Sequence, residues 1–328
     1  MHETTKIPLI VIAGPTATGK SGFACEIGRR IGGEVVSADS MQVYRYMDIG
    51  TAKVTLEEQM GVPHHLIDVI DPTDEMDAAR YAELAEKAIR EIDARGHVPI
   101  LCGGTGFYIQ AVTKKIDFSR AAPDEAYRRS LAGYAALHGS EALHQRLAEV
   151  DPASAAAIHP NNIKRVIRAM EFFHETGTSI AAHNESEHEK GTPYRLIFFF
   201  LDDDRAELYR RIDRRVDFMM EEGLADEVAY LKAMGLDRSF VSMQAIGYKE
   251  ILAAMDGAFT MEEAVRIIKR ESRHYAKRQE TWFKREKDAI RIDRSAYAED
   301  DGRILNAMLS VIEERTGIRA KEVKAPNT

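Results

Sequence analysis

The chain has 328 residues, 45% hydrophobic and 30% charged, with a formal net charge of −8. That length accommodates a sizeable core, as one large domain with an insertion or as two domains. No apolar run reaches membrane-spanning length, and the two isolated cysteines, Cys25 and Cys102, argue against a disulfide framework or a thiolate metal site.

Residues 9–13 (Leu-Ile-Val-Ile-Ala) predict a first strand and residues 20–30 a helix. Between them, Gly14-Pro15-Thr16-Ala17-Thr18-Gly19-Lys20-Ser21 completes a GxxxxGK[ST] phosphate loop. In such a loop the backbone N–H groups face an anion, the helix adds its positive end, lysine supplies a counter-charge and the Ser21 hydroxyl is available to Mg²⁺. Glycine at 14 and 19 suits a chain that must curl tightly. ATP is the default occupant of such a loop. No positively charged leader precedes an apolar stretch, so a cytoplasmic protein is expected.

Residues 34–38 predict a second strand ending at Asp39-Ser40. Ala78 to Ala94 reads as an amphipathic helix closed by Gly96, and Val98 to Cys102 as a third strand running into Gly103-Gly104-Thr105-Gly106. Strand–helix alternation predicts an α/β fold, a P-loop NTPase-like parallel sheet with functional groups at the carboxyl ends of its strands. The phosphate loop, Asp39 and Thr105 all fall at such ends. The pattern then changes: residues 123–182 read as helical, with caps at Asp151-Pro152 and His159-Pro160, and residues 183–193 as a mobile polar turn. The apolar run 196–201 returns to the sheet, and helices dominate from Arg205 to about Lys287. The expected organisation is a core at 1–119, an inserted helical domain at 120–193, a return strand and helical C-terminal region at 194–315, and a flexible tail at 316–328.

Asp39 can bind Mg²⁺ through water, accept a proton or cap a following helix; its place opposite the phosphate loop favours chemistry. Arg211 and Arg215, one helical turn apart, can grip phosphate oxygens, whereas Arg210 and Arg214 suit surface pairing. Lys164, Arg165 and Arg168 share a predicted helix of the insertion. From Ala264 to Arg294 eleven Lys/Arg face five Asp/Glu, around Tyr275, Trp282 and Phe283. That mixture suits a nucleic-acid backbone with occasional stacking, although a solvated helix face would look similar. The histidines show no HExxH or Cys/His metal spacing.

The chain resembles the bacterial tRNA dimethylallyltransferases (the tRNA isopentenyltransferase family). The likeness runs through GPTATGKS at 14–21, SADSMQVYRYMDIGTAK at 37–53, PHHLID at 63–68, GGTGFY at 103–108 and HPNNIKRVIRAME at 159–171. It continues through RIDRRVDFM at 211–219, SMQAIGYKE at 242–250 and RHYAKRQETWF at 273–283. The phosphate loop alone would also fit many kinases; the DSMQ–DIGTAK and RQETWF stretches are the discriminating ones.

The resemblance implies transfer of a dimethylallyl group from dimethylallyl diphosphate to N6 of adenosine 37 beside a tRNA anticodon, with Mg²⁺ as cofactor and diphosphate as product. It implies that residues 14–21 and Arg215 hold the diphosphate, Ser21 the metal (with Asp39 through water), and that Asp39, Thr105 and Arg215 are catalytic. Asp39 would take the N6 proton, and Thr105 would sit near the leaving oxygen. Ser40, Met41 and Gln42, together with Asp39, would contact the target adenine, Gln42 by its amide. Lys164, Arg165, Arg168, Gln244, Gly247, Lys249, Arg273, Lys277, Arg278, Gln279 and Trp282 would position the anticodon stem-loop. The glycines at 103, 104 and 106 would let the chain pass close to substrate. A monomer without an obligate protein partner or a membrane is expected. The rival readings are a small-molecule or nucleotide kinase, which must consume ATP, and a non-catalytic RNA-binding protein gated by nucleotide.

Overall fold

The computed structural model describes residues 6–116, 124–189 and 191–321. Its centre is a parallel sheet of β1 (Pro8–Ala13), β2 (Gly33–Ser37), β3 (His64–His65), β4 (Val98–Gly103), β5 (Arg195–Asp202) and β6 (Ile290–Asp293). The strand order is β3-β2-β4-β1-β5-β6, and every pairing is parallel. β1 and β5 are buried on both faces, and their alternation divides the core in two. Leu9, Val11, Phe198 and Phe200 enter one apolar layer, while Ile10, Ile12, Ile197 and Phe199 enter the other. Burying each such side chain contributes roughly 1.5–3 kcal/mol.

Against the second layer pack α1 (Lys20–Ile31) and α13 (Asp301–Thr316). Against the first pack α2 (Ala78–Ala94), α3 (Gly106–Thr113), α9 (Arg205–Glu221), α10 (Leu224–Ala233), α11 (Tyr248–Met255) and α12 (Met261–Phe283). Helix starts follow the local chemistry: Asp77, Asp204, Thr260 and Asp300 each accept a backbone N–H of the first turn. α12 is the longest, at 23 residues.

The chain divides into two compact units, Met1–Thr113 with Pro193–Thr328, and Lys114–Thr192. The second comprises α4 (Glu125–His138), α5 (Ser140–Val150), α6 (Pro152–Ala157), α7 (Ile163–Thr176) and α8 (Ile180–Glu189) around Leu131, Leu143, Leu147, Val166 and Met170. The boundary expected at 119/120 falls on residues outside the described ones, as does the tail from 322. Asp151 caps α6 as expected. His159-Pro160 caps nothing, because α7 starts later, on Asn162. The polar stretch expected as a turn from 183 is instead mostly α8, which runs to Glu189. β6 was not expected, although Ile290-Arg291-Ile292-Asp293 alternates apolar and charged residues as an edge strand does, because four residues in a highly charged stretch are too short a signal to stand out.

At the β2 end of the sheet, Glu34 is 3% exposed and accepts from Arg95 at 2.7 Å and from His65 and His97 at 2.6 Å each. Burial by itself would raise its carboxyl, but these donors outweigh burial and hold it at about 2. The folded carboxyl therefore titrates below its unfolded counterpart. Its stabilisation is complete above about 4.5, the unfolded value, and is lost as pH falls towards 2. Denaturant melts across that window should show Glu34→Gln less stable than wild type near neutrality, with the gap shrinking as pH falls.

Candidate active site

The phosphate loop leaves β1 and enters α1 with no side-chain cap on the helix N-terminus, so its first N–H groups are available to an anion. Gly14 passes so close to β5 that a Cβ would lie 2.6 Å from the Leu201 carbonyl. The left-handed turns are taken by Gly19 (φ 82°) and by Ala17 (φ 65°). For an alanine that conformation costs roughly 1–2 kcal/mol, and the Ala17 methyl packs on Leu208, Ile212 and Ala276. Inside the loop the Pro15 carbonyl accepts from Thr18 Oγ1 at 2.8 Å and from Lys20 Nζ at 2.6 Å.

Beside the loop lies a crevice of about 320 Å³, reached by Thr16, Asp39, Ser40, Arg215, Tyr275 and Arg278. One wall is apolar, with Ile212, Val216 and Met219 along a single face of α9, and Leu224, Ile246 and Ile268 beside them. The other wall is the turn Gly50-Thr51-Ala52. That turn is held by Glu227, whose carboxylate accepts from the N–H groups of Asp48, Ile49 and Gly50 at 2.7, 2.8 and 3.1 Å and from the Tyr248 hydroxyl at 2.5 Å.

Burial pulls the Lys20 ammonium down to about 8; Arg215 pushes the same way, and Asp39 opposes. Burial likewise weakens the hold of Arg215 on its proton, again against the attraction of Asp39. Burial pushes the Cys102 thiol up to about 12, so it stays neutral beneath them. Two half-buried cations therefore share the attraction of Asp39, an arrangement that an entering polyanion would complete.

Several expected residues meet here. Asp39 Oδ1 accepts from the Met41 N–H at 2.9 Å in a local turn, with no helix following, and Thr105 Oγ1 accepts from the Ser40 N–H at 3.0 Å. Gln244, Gly247, Lys249 and Arg278 line the crevice, and Ser21 is exposed at the loop's helix start. Met41 is half-buried against the core.

Others are occupied elsewhere. The Gln42 amide donates to the Thr51 and Ala52 carbonyls at 3.2 and 3.1 Å and accepts from Ser37 at 2.9 Å, so both of its donors hold the turn. Arg211 pairs with Asp203 rather than reaching phosphate beside Arg215. Arg273 joins α12 to Asp213 of α9 at 2.6 Å, and Gln279 is 5% exposed. Trp282 sits edge-on to Phe107, and Lys277 is exposed. In the helical unit Lys164 and Arg165 are exposed on α7, while Arg168 pairs with the buried Glu171 at 2.6 Å. The glycines expected to admit substrate are filled by protein instead: a Cβ at 103, 104 or 106 would meet Ala38, Gln279 or Trp282 within 2.2 Å.

Tyr275 and the apolar wall were missed as a site. Ile268, Ser272, Tyr275 and Gln279 form one stripe of α12, a spacing visible in the chain. Arg294 was also missed: it is 6% exposed, donates to the Thr18 carbonyl at 3.3 Å and pairs with Asp301 at 2.8 Å. Among the described residues, Asp124, His174 and Glu175 bring ligand atoms within 4.8 Å of one another, a group able to hold a divalent cation in the helical unit. No helix among the described residues is long and apolar enough to cross a membrane.

A family profile described as IPP transferase matches residues 42–286. The chain is 49% identical over 312 residues to a tRNA dimethylallyltransferase of Lachnoclostridium phytofermentans, spanning 95% of this chain and 99% of that one. Among solved structures it is similar to a tRNA isopentenylpyrophosphate transferase of Bacillus halodurans, at TM-score 0.71 and 44% identity over 95% of this chain and 99% of that one. It is also similar to a eukaryotic dimethylallyltransferase described acting on tRNA, at TM-score 0.80 and 28% identity over 98% of this chain and 82% of that one.

With Lys20 at about 8 in the free protein, an anion that binds the ammonium form must draw in a proton once pH exceeds that value. Relative to Lys20→Arg, in which the titration of the ligand itself is the same, affinity for inorganic diphosphate should be level below about pH 8 and fall above it by up to about tenfold per pH unit. Calorimetry in buffers of different ionisation enthalpy reads the proton uptake directly.

Proposed function

Because the chain belongs to the IPP transferase family, we propose that it transfers the dimethylallyl group of dimethylallyl diphosphate to N6 of adenosine 37 in tRNA, releasing diphosphate. The observation that carries the reading is the meeting of Lys20, Asp39 and Arg215 beside a crevice with one apolar wall. A five-carbon allylic group needs an apolar surface beside the phosphate loop and its cations, and that wall supplies it. None of the relatives described above is a kinase.

The diphosphate lies on residues 14–21, with Lys20 and Arg215 on its oxygens. As the allylic C1–O bond breaks, negative charge grows on the leaving diphosphate, and these groups stabilise it where water is largely excluded. The five-carbon group lies along Ile212, Val216 and Met219, which shield its cationic carbon from water. N6 of the adenine forms the new C–N bond, and Asp39 accepts the proton that N6 loses. Asp39 is well placed because one oxygen is already fixed by the Met41 N–H. Thr105 fixes the turn that carries Asp39 and Ser40 through its bond to the Ser40 N–H. The Ser21 hydroxyl and the Asp39 carboxylate are hard oxygen donors of the kind Mg²⁺ takes, and that ion would neutralise diphosphate charge. The exposed cations of α12 and of α7 position the anticodon stem-loop through its phosphates. A cytoplasmic setting, where tRNA and prenyl diphosphates meet, follows from the reaction.

The test is mass analysis of nucleosides from unmodified tRNA incubated with the protein, Mg²⁺ and dimethylallyl diphosphate. N6-dimethylallyladenosine is the expected product, formed without ATP. Asp39→Ala should lower kcat by about 10²–10⁴, and Arg215→Ala by about 10²–10³, each with tRNA affinity retained. Binding of tRNA with no modified nucleoside would sink the reading.

A further inference from the structure

The phosphate loop is shaped from outside itself. The Thr16 N–H does not face the crevice; it donates to Gln279 Oε1 at 2.9 Å. The other end of the same amide, Nε2, donates to the Gly104 carbonyl at 3.0 Å. Gln279 is 5% exposed, on the same stripe of α12 as Tyr275. Its amide presents one acceptor and one donor at fixed separation, so it sets the spacing between the loop and the turn carrying Thr105.

The consequence runs through a single peptide plane. In a trans peptide the N–H and the preceding C=O point in opposite directions. With the Thr16 N–H held by Gln279, the Pro15 carbonyl is turned the other way, where it accepts from Thr18 Oγ1 and Lys20 Nζ. Gln279 thus determines where the lysine rests while the crevice waits for its anion. Gly104 fits this role: a Cβ there would lie 2.1 Å from Gln279 Nε2, and its only contact within 4 Å beyond Gln279 among those nearest is the Gly14 carbonyl at 3.5 Å.

We propose that Gln279 is a positioning residue for the prenyl diphosphate rather than an RNA contact: it orients the Pro15–Thr16 peptide and, through it, Lys20. The inference rests on the reaction proposed above for the identity of the anion, but its test can be read without transfer. Gln279→Ala should weaken binding of inorganic diphosphate with Mg²⁺, and raise KM for dimethylallyl diphosphate, by about tenfold, the scale of a lost hydrogen bond. Affinity for tRNA should stay within about twofold of wild type, a change of under half a kcal/mol.

Gln279→Glu separates positioning from mere packing. As a carboxylate it can accept from Thr16 but cannot donate to Gly104, and it repels the diphosphate. As a neutral carboxyl it again offers one acceptor and one donor. Its diphosphate affinity relative to wild type should therefore recover as pH is lowered. Tyr275, which bonds Gln279, and the Asp39 and Arg278 charges that face Tyr275 are present in both proteins. Gly104→Ala should displace the same amide, so its effect on diphosphate binding should match that of Gln279→Ala and not add to it in the double variant.

Wild-type diphosphate affinity in folded Gln279→Ala would overturn the proposal, as would a loss confined to tRNA binding. If Gln279→Ala does not fold, Gly104→Ala and the pH response of Gln279→Glu decide: wild-type affinity in the first, or a flat ratio in the second, overturns it equally. Diphosphate binding that depends on Gln279 in a protein that modifies no tRNA would leave this inference standing and remove the reaction.

Discussion

Two half-buried cations beside one carboxylate are what the rest of this unit is organised around. Lys20 and Arg215 repel each other and resent their burial, and Asp39 offsets only part of that. Left to relax, the side chains would swing into solvent and the crevice would lose its attraction for a diphosphate. The surrounding structure removes that option. β1 and β5 bury their apolar faces on both sides, which anchors the start of the loop, and α9 brings Arg215 in among Ile212, Val216 and Met219.

The supports come from far along the chain. Arg294, after the last strand, donates to the Thr18 carbonyl, and Gln279 of α12 takes the Thr16 N–H. Glu227 of α10 gathers three consecutive N–H groups of residues 48–50, and Gln42 ties down the carbonyls that follow. Gln279, Glu227 and Gln42 are each bonded through both ends of their amide or carboxylate, the condition for a polar network to rigidify rather than weaken a core. The two long walls of the crevice are thereby set independently, one by apolar packing and one by hydrogen bonding. This suits a reaction in which an apolar fragment must leave a highly charged one.

The binding groups were far more legible in the chain than the supports. The phosphate loop, the strand before it, Asp39 and Thr105 are contiguous with recognisable periods or turns, and the core strands read correctly to within a residue or two. The family resemblance implied that Gln42 and Gln279 contact RNA, since both lie in stretches, 37–53 and 273–283, that it assigns to the tRNA. The fold uses both donors of Gln42, and one donor and the acceptor of Gln279, inside the protein. Gln279 meets Thr16 and Gly104 across separations of 263 and 175 residues, and no local pattern encodes such a meeting. Arg211 and Arg215 show the same limit: helical spacing places them on one side of α9, but Asp203 draws only Arg211 away.

By itself the sequence determined the parallel α/β core, the anion-binding loop and the family likeness, because each is written in short-range spacing: two for strands, 3.6 for helices, eight residues for the loop. Tertiary structure alone decided which cations stay unneutralised at the crevice, which amides become struts, and where an apolar wall meets a phosphate loop. Those outcomes depend on which distant partner reaches a buried donor or charge first. A buried polar group must be satisfied by whatever the fold brings to it.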